Sequence, residues 1–301
     1  MTYQPRHASR SEFHRIRGLR HHVRCWGDPA SPRLFLLHGW MDVSASFQFV
    51  VDALAEPWHI IAPDWRGFGL SDRASGEYWF PDYLADLDAL LDLYSPDTPA
   101  LIVGHSMGGN IAGLYAGVRP SRVSRLVLAE GFGLKATRPE QAPQRYARWL
   151  EQLREGASLR PYATLDAVAE RLMKNNPRLR PEYARFLAQH WAVSGDDGQY
   201  RVAADPRHKL ANPVLYRLEE ALACWRCIAA PVLWMWGEDD ADVKRWSGDD
   251  PEDWGRRRAA FRKLSECTLR DAGHMMHHDQ PEAFAAAIEA FLLKAHRTSR
   301  P

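Results

Sequence analysis

Residues 100–109, Ala-Leu-Ile-Val-Gly-His-Ser-Met-Gly-Gly, pass from an apolar run into a glycine-flanked serine, and small residues follow. The pattern is Gly-x-Ser-x-Gly at a strand-to-helix junction. Such a turn is so sharp that its flanks tolerate almost no side chain, and it holds the serine in strained backbone with the hydroxyl pointing out of the sheet edge. Gly104 and Gly108 let strand and helix approach closely, which a Cβ would hinder. The pentapeptide alone is only suggestive; its place after a buried-strand pattern gives it weight. Ser106 is therefore the candidate nucleophile.

Working outward, five further apolar runs bounded by turn residues read as buried strands of a parallel sheet. They are Arg33–Leu37, His59–Pro63, Arg125–Ala129, Pro231–Trp236 and, more weakly, Cys267–Arg270. Phe13–Arg17 and His22–Cys25, with a turn at Gly18, fit an antiparallel hairpin at the sheet edge. Helical patterns lie between the runs. Pro81-Asp82 opens one whose face carries Tyr83, Leu84, Leu87, Leu90, Leu91 and Tyr94. Met107–Val118 follows the serine, and the last helix starts at Pro281. This alternation predicts an open, doubly wound α/β sheet.

The rhythm breaks between Gly131 and Ile228. Helical spacing links Tyr146, Trp149, Leu150 and Leu153, then Leu165, Val168 and Leu172, then Tyr183, Phe186, Leu187 and Trp191. No strand pattern is convincing there, and Pro213–Ala223 reads as a further helix. An all-helical insertion between two core strands reads as a cap over the strand carboxyl ends. The chain thus divides into residues 1–130, a cap of residues 131–228, and residues 229–301.

A serine hydroxyl needs a base, and the base needs an orienting acid. Of thirteen histidines, His274 in Asp271-Ala272-Gly273-His274 stands right after the last strand and before the final helix. Gly273 lets the chain bend there. The acid is expected to leave the preceding strand, where Gly237-Glu238-Asp239-Asp240-Ala241-Asp242 follows Trp236. Spacing does not choose among the three aspartates, and Glu130, at the end of the strand before, is an alternative from a different strand. The oxyanion needs two backbone N–H donors. Met107 N–H, at a helix N-terminus, is one candidate, and Trp40 N–H in His38-Gly39-Trp40 is the other. His38 itself reads as a structural histidine.

The 301 residues, 46% hydrophobic and 26% charged, are those of an ordinary globular chain. A net charge of +1 gives no reason to expect nucleic acid as a partner. No apolar stretch is long enough to span a bilayer, and the polar, basic start lacks the apolar segment of a signal peptide. A cytoplasmic enzyme is the expectation. Arg256-Arg257-Arg258 and the basic tail from Lys294 read as solvated segments. Four cysteines include Cys224-Trp225-Arg226-Cys227, which lacks the second ligand pair of a zinc site and the helix-opening context of a redox site. No metal is implied by ligand spacing. Asp64-Trp65-Arg66-Gly67-Phe68-Gly69-Leu70-Ser71-Asp72 carries Gly-x-Gly without the third glycine of a dinucleotide loop, so no cofactor is expected and the loop reads as structural.

Together, His38-Gly39-Trp40, the 64–72 loop, the elbow at 104–109, Gly237-Glu238-Asp239-Asp240 and Gly273-His274 resemble the α/β-hydrolase superfamily over nearly the whole chain outside the cap. That resemblance implies a mostly parallel sheet of about eight strands with a helical cap, and it picks Asp240 as the acid. His38-Gly39-Trp40-Met41-Asp42 with Ser46-Phe47 is similar to epoxide hydrolases and to serine-hydrolase-like proteins. Epoxide hydrolases and haloalkane dehalogenases carry aspartate at the nucleophile position, so Ser106 points away from alkyl-enzyme chemistry. The reaction expected is cleavage of an ester or related carbonyl through an acyl-enzyme. C–C hydrolysis of a β-diketone-like substrate is the alternative on the same residues, and a non-catalytic binding protein on the same fold a third. The substrate is expected to be a small molecule with a largely apolar acyl or alcohol part.

Overall fold

The computed structural model describes residues 3–239 and 241–295. Its centre is an eight-stranded sheet in the order β1-β2-β4-β3-β5-β6-β9-β10. The strands are β1 Arg10–Ile16, β2 Leu19–Trp26, β3 Arg33–Leu37, β4 His59–Pro63, β5 Ala100–His105, β6 Val123–Ala129, β9 Val232–Gly237 and β10 Leu264–Leu269. β1 and β2 form the antiparallel edge, and β2 also runs antiparallel to β4. From β4 to β10 every pairing is parallel.

Two-residue alternation feeds two apolar layers. Phe35, Leu37, Ile102, Leu126 and Leu128 face one core, and Leu34, Leu36, Val103, Val127 and Ala129 face the other. On the first side lie α2 (Phe80–Tyr94), α3 (Met107–Val118) and α7 (Leu218–Arg226), contributing Leu87, Ile111, Tyr115 and Trp225. On the second lie α1 (Gln48–Val51) and α11 (Pro281–Leu292), contributing Val50, Phe284 and Ile288. Residues apolar on both faces need this double cover, which is why the central strands read as unbroken hydrophobic runs.

The segment between β6 and β9 carries α4 (Ala142–Glu155), α5 (Leu165–Asn175) and α6 (Pro181–Trp191). Val168, Leu172, Tyr183, Phe186 and Leu187 join with Phe49 of α1 in a third apolar cluster. The segment is not all-helical. β7 (Ala192–Ser194) and β8 (Tyr200–Val202) form a short antiparallel hairpin. Three residues per strand are too few to show alternation, so the hairpin left no pattern to read. α7 also begins later than the apolar spacing suggests. The Tyr216 carbonyl accepts both the backbone N–H and the hydroxyl of Thr137, so residues just after Pro213 cannot turn into helix.

The stretch between β9 and β10 is polar. It folds as α8 (Ala241–Ser247) and α9 (Pro251–Ala259). Asp250 caps α9 by accepting the Glu252 N–H. Within it, Arg257 is not a solvated cation but is wholly buried. Its guanidinium donates to the carbonyls of Phe132 and Leu134 and pairs with Asp253. A planar five-donor head suits a bend of unpaired carbonyls.

The 64–72 loop ties the sheet to the inserted segment. Buried Asp64 accepts from the Ser44 and Leu70 N–H groups and lies 2.7 Å from His22 Nδ1. Gly69 has φ +56°, and a Cβ there would fall 2.1 Å from an Asp64 oxygen. Gly69 N–H donates to the Ala203 carbonyl and Asp205 N–H to the Gly67 carbonyl.

Candidate active site

Ser106 sits between β5 and α3 at φ 50°, ψ −115°, a conformation L-residues rarely adopt. The packing enforces it. A Cβ on Gly108 would lie 2.2 Å from the Leu37 carbonyl oxygen, so only glycine admits the helix this close to β3. The loop after β3 presses on the serine from the other side, where a Cβ on Gly39 would come within 3.2 Å of Ser106 Cβ. Trp40, next to Gly39, and Met107, next to the serine, line the same cavity as Ser106, and the backbone N–H of each has no hydrogen-bond acceptor among the described residues. Met107 N–H also opens α3, where the helix dipole favours negative charge.

His38 orients this loop. Its Nδ1 lies 2.8 Å from the Gly39 carbonyl and Nε2 accepts the Trp65 N–H, which fixes the neutral Nδ1–H tautomer. Burial lowers its pKa further. The histidine is thus fully engaged in holding backbone.

His274 stands on the turn between β10 and α10 (Met276–Asp279). Its Nδ1 faces Glu130 Oε2 at 3.3 Å. Glu130 follows β6 at φ 55°, is buried, and accepts the Gly237 N–H on its other oxygen at 2.8 Å. Burial pushes its carboxyl above the usual carboxylate range, against the opposing pull of His274 and the Gly237 N–H. Nδ1 has one proton to give, and the carboxylate it meets is Glu130. Asp239 lies elsewhere: its side chain is half exposed, 3.2 Å from Arg178 Nη2. Asp240 lies outside the described residues. The acidic turn after β9 is rich in carboxylates, whereas Glu130 is single. What distinguishes Glu130 is burial and a backbone donor, neither visible in spacing.

Ser106, His274 and Glu130 open on one cavity of about 690 Å³. Its wall is mainly apolar: Phe80, Met107, Leu172, Leu187, Trp191 and Trp246 contribute. Asn110, Asn176 and Asn212 add amides, and Asp42 and Asp242 add carboxylates. No Lys or Arg lines it among the described residues. Of the aromatic residues noted in the inserted segment, Trp191 lines the cavity, while Trp225 packs on Phe261 in the core. Trp246 was not readable as a site residue, because the polar sequence around it hides a helix.

Beneath the elbow lies a buried polar cluster whose members are far apart in sequence. His105 Nε2 is 2.7 Å from the His274 carbonyl, Ser46 donates to Asp42, and Ser46 Oγ lies 2.8 and 3.0 Å from Nε2 of His277 and His278. Burial and neighbouring imidazoles hold all three rings neutral, with His277 pushed down to about 3.

The profile of the alpha/beta hydrolase fold matches residues 32–281. The chain belongs to the α/β-hydrolase family. A serine hydrolase-like protein of Danio rerio is 28% identical over 280 residues, covering 89% of this chain and 83% of that protein. Epoxide hydrolase 4 of Mus musculus is 23% identical over 91% of this chain and 77% of its own. Among solved structures, the thioesterase domain from the curacin biosynthetic pathway superposes with a TM-score of 0.82 at 26% identity, covering 94% and 99% of the two chains. A hypothetical protein of Pseudomonas aeruginosa PAO1 gives 0.80 at 27% identity, covering 96% and 98%. This α/β-hydrolase therefore stands near the serine-hydrolase-like branch, and a hydrolase is the activity its family supports. No described helix is long and apolar enough to cross a membrane.

Proposed function

We propose that this α/β-hydrolase is a serine hydrolase that cleaves a neutral ester with an apolar acyl or alcohol part through an acyl-enzyme. The observation that carries the reading is the pairing of His274 Nδ1 with buried Glu130 in the cavity that Ser106 also lines. Ser106 Oγ attacks the carbonyl carbon while His274 Nε2 takes its proton. The tetrahedral oxyanion is held by the N–H groups of Trp40 and Met107. His274 then returns the proton to the departing alcohol, and water repeats the sequence on the acyl-enzyme to release the acid. Glu130 fixes the tautomer and stabilises the imidazolium formed in each step. This assigns to Glu130 the role that family resemblance gave to Asp240.

The cavity wall supports the substrate class. An apolar lining desolvates an acyl chain at roughly 25 cal/mol per Å². A free carboxylate or phosphate inside would meet Glu130, Asp42 and Asp242 with no lining cation. The test is labelling by a fluorophosphonate, with hydrolysis of p-nitrophenyl esters measured alongside. Wild type is expected to label at Ser106, and Ser106→Ala to lose turnover by about a million-fold. Turnover retained in Ser106→Ala, or a wild type that hydrolyses only diketones, would sink the reading.

A further inference from the structure

The cluster beneath the elbow has an imbalance in its hydrogen bonds. Ser46 has one hydroxyl proton and gives it to Asp42, which accepts only. His277 and His278 must then each donate Nε2–H to Ser46 Oγ, which leaves Nδ1 of His277 as a bare lone pair. His105 donates Nε2–H to the His274 carbonyl, so its Nδ1 is bare as well. Both Nδ1 atoms are shut off from solvent and have no hydrogen-bond partner. The rings are neighbours, with centroids 4.3 Å apart. Asp42, 4% exposed, has the Ser46 hydroxyl as its hydrogen-bond donor, and no Lys or Arg among the described residues pairs with it. Two unanswered lone pairs thus share a buried cluster with the Asp42 carboxylate, whose Oδ2 lies 3.8 Å from His277 Nε2, and such groups are costly unless something electropositive joins them.

We propose that Asp42, His105 and His277 form a site for one divalent transition-metal ion of the zinc class. One ligand atom from each lies within 4.8 Å of the others. Two imidazoles and a carboxylate are a donor set that zinc accepts, with bonds of about 2 Å and tetrahedral geometry. Such bonds place ligand atoms about 3.4 Å apart, so the three segments draw together by about 1 Å on binding. Asp42 and His105 also line the cavity, the side from which an ion would enter.

The placement gives the site a consequence. Asp42 is two residues from Trp40, His105 immediately precedes Ser106, and His277 is three residues from His274. An ion held by all three cross-links the segments next to the proposed oxyanion donor, nucleophile and base. It also pulls on His105, which holds the His274 carbonyl. Occupancy therefore slows hydrolysis reversibly. This effect rests on the Ser106 reading above, whereas binding itself does not.

The full chain, stripped with EDTA and dialysed, is titrated with zinc sulfate against a chromogenic zinc chelator. Wild type is expected to take up one ion that Asp42→Asn and His277→Gln bind at least about 100-fold more weakly, beyond the 10–100-fold loss of an outer-shell partner. Far-UV circular dichroism checks that both variants fold, and either one alone suffices if the other does not. Zinc is expected to suppress fluorophosphonate labelling of wild type, with recovery on EDTA. Absence of stoichiometric uptake, or uptake unchanged in a folded variant, overturns the site. Uptake by a protein that never labels keeps the site and removes the hydrolase reading; labelling without uptake does the reverse.

Discussion

Glu130 works under two opposed demands. The proposed mechanism calls for its charge beside His274, yet burial makes that charge costly. Glu130→Gln keeps the shape and removes the charge, so turnover is expected to fall by about 10⁴, as when a triad carboxylate is neutralised. Asp239→Asn, remote on its Arg178 contact, is expected to leave turnover within a few-fold. The same substitution at Glu130 has a signature in stability. A carboxyl whose pKa is raised on folding contributes stability below its unfolded pKa and loses it as pH rises through the folded value. Thermal melts of Glu130→Gln and wild type should therefore coincide near pH 4, with the variant more stable at pH 7. A variant less stable at pH 7 would show that the charge is structural. His274 and Ser106 stand out in the sequence because each lies within two residues of a turn glycine at a strand end. Glu130 was only an alternative, since a single carboxylate after a strand carries no pattern of its own.

At the scale of elements, the bend after β6 depends on a side chain 125 residues away. Arg257 satisfies the Phe132 and Leu134 carbonyls, so Arg257→Met leaves both in an apolar setting. With about 1–3 kcal/mol for each buried group left unpaired, a loss of about 3 kcal/mol is expected in urea unfolding. An equal loss in Arg256→Met, whose side chain is half exposed, would refute the assignment. Three adjacent arginines looked like one solvated face; burial of the middle one depends on α9 turning it toward the 132–134 bend. β7 and β8 were missed for want of length, and α8 and α9 for want of apolar residues. By contrast β3, β5 and β6, apolar on both faces, could be read directly.

Across the whole molecule, a buried acid links stability to pH, and the cavity wall bears on the proposed substrate. Burial tends to raise the Asp64 carboxyl, but the His22 hydrogen bond, its charge and the backbone donors overcome this and hold the group well below the ordinary carboxylate range. A depressed carboxyl contributes stability above its unfolded pKa and loses it as pH falls through the folded value. Asp64→Asn is expected to lower stability at pH 7 by about 3–5 kcal/mol, the cost of breaking a buried pair. The gap should narrow only in strong acid, below pH 4; a gap already closed at pH 5 would refute this. The cavity makes a second prediction at this scale. Across p-nitrophenyl esters, kcat/KM is expected to rise from acetate to hexanoate and to fall at least about tenfold for a hemisuccinate, whose free carboxylate meets the acidic wall. Preference for the hemisuccinate would refute it. The position of Glu130 at the exit of β6 also bears on building hybrids. Replacing the inserted segment with one from a relative calls for a cut after Leu134, so that the acid, its bend and the arginine beneath travel with the sheet. A junction drawn at Glu130 itself would exchange the inserted segment and take the carboxylate away from His274 in the same stroke.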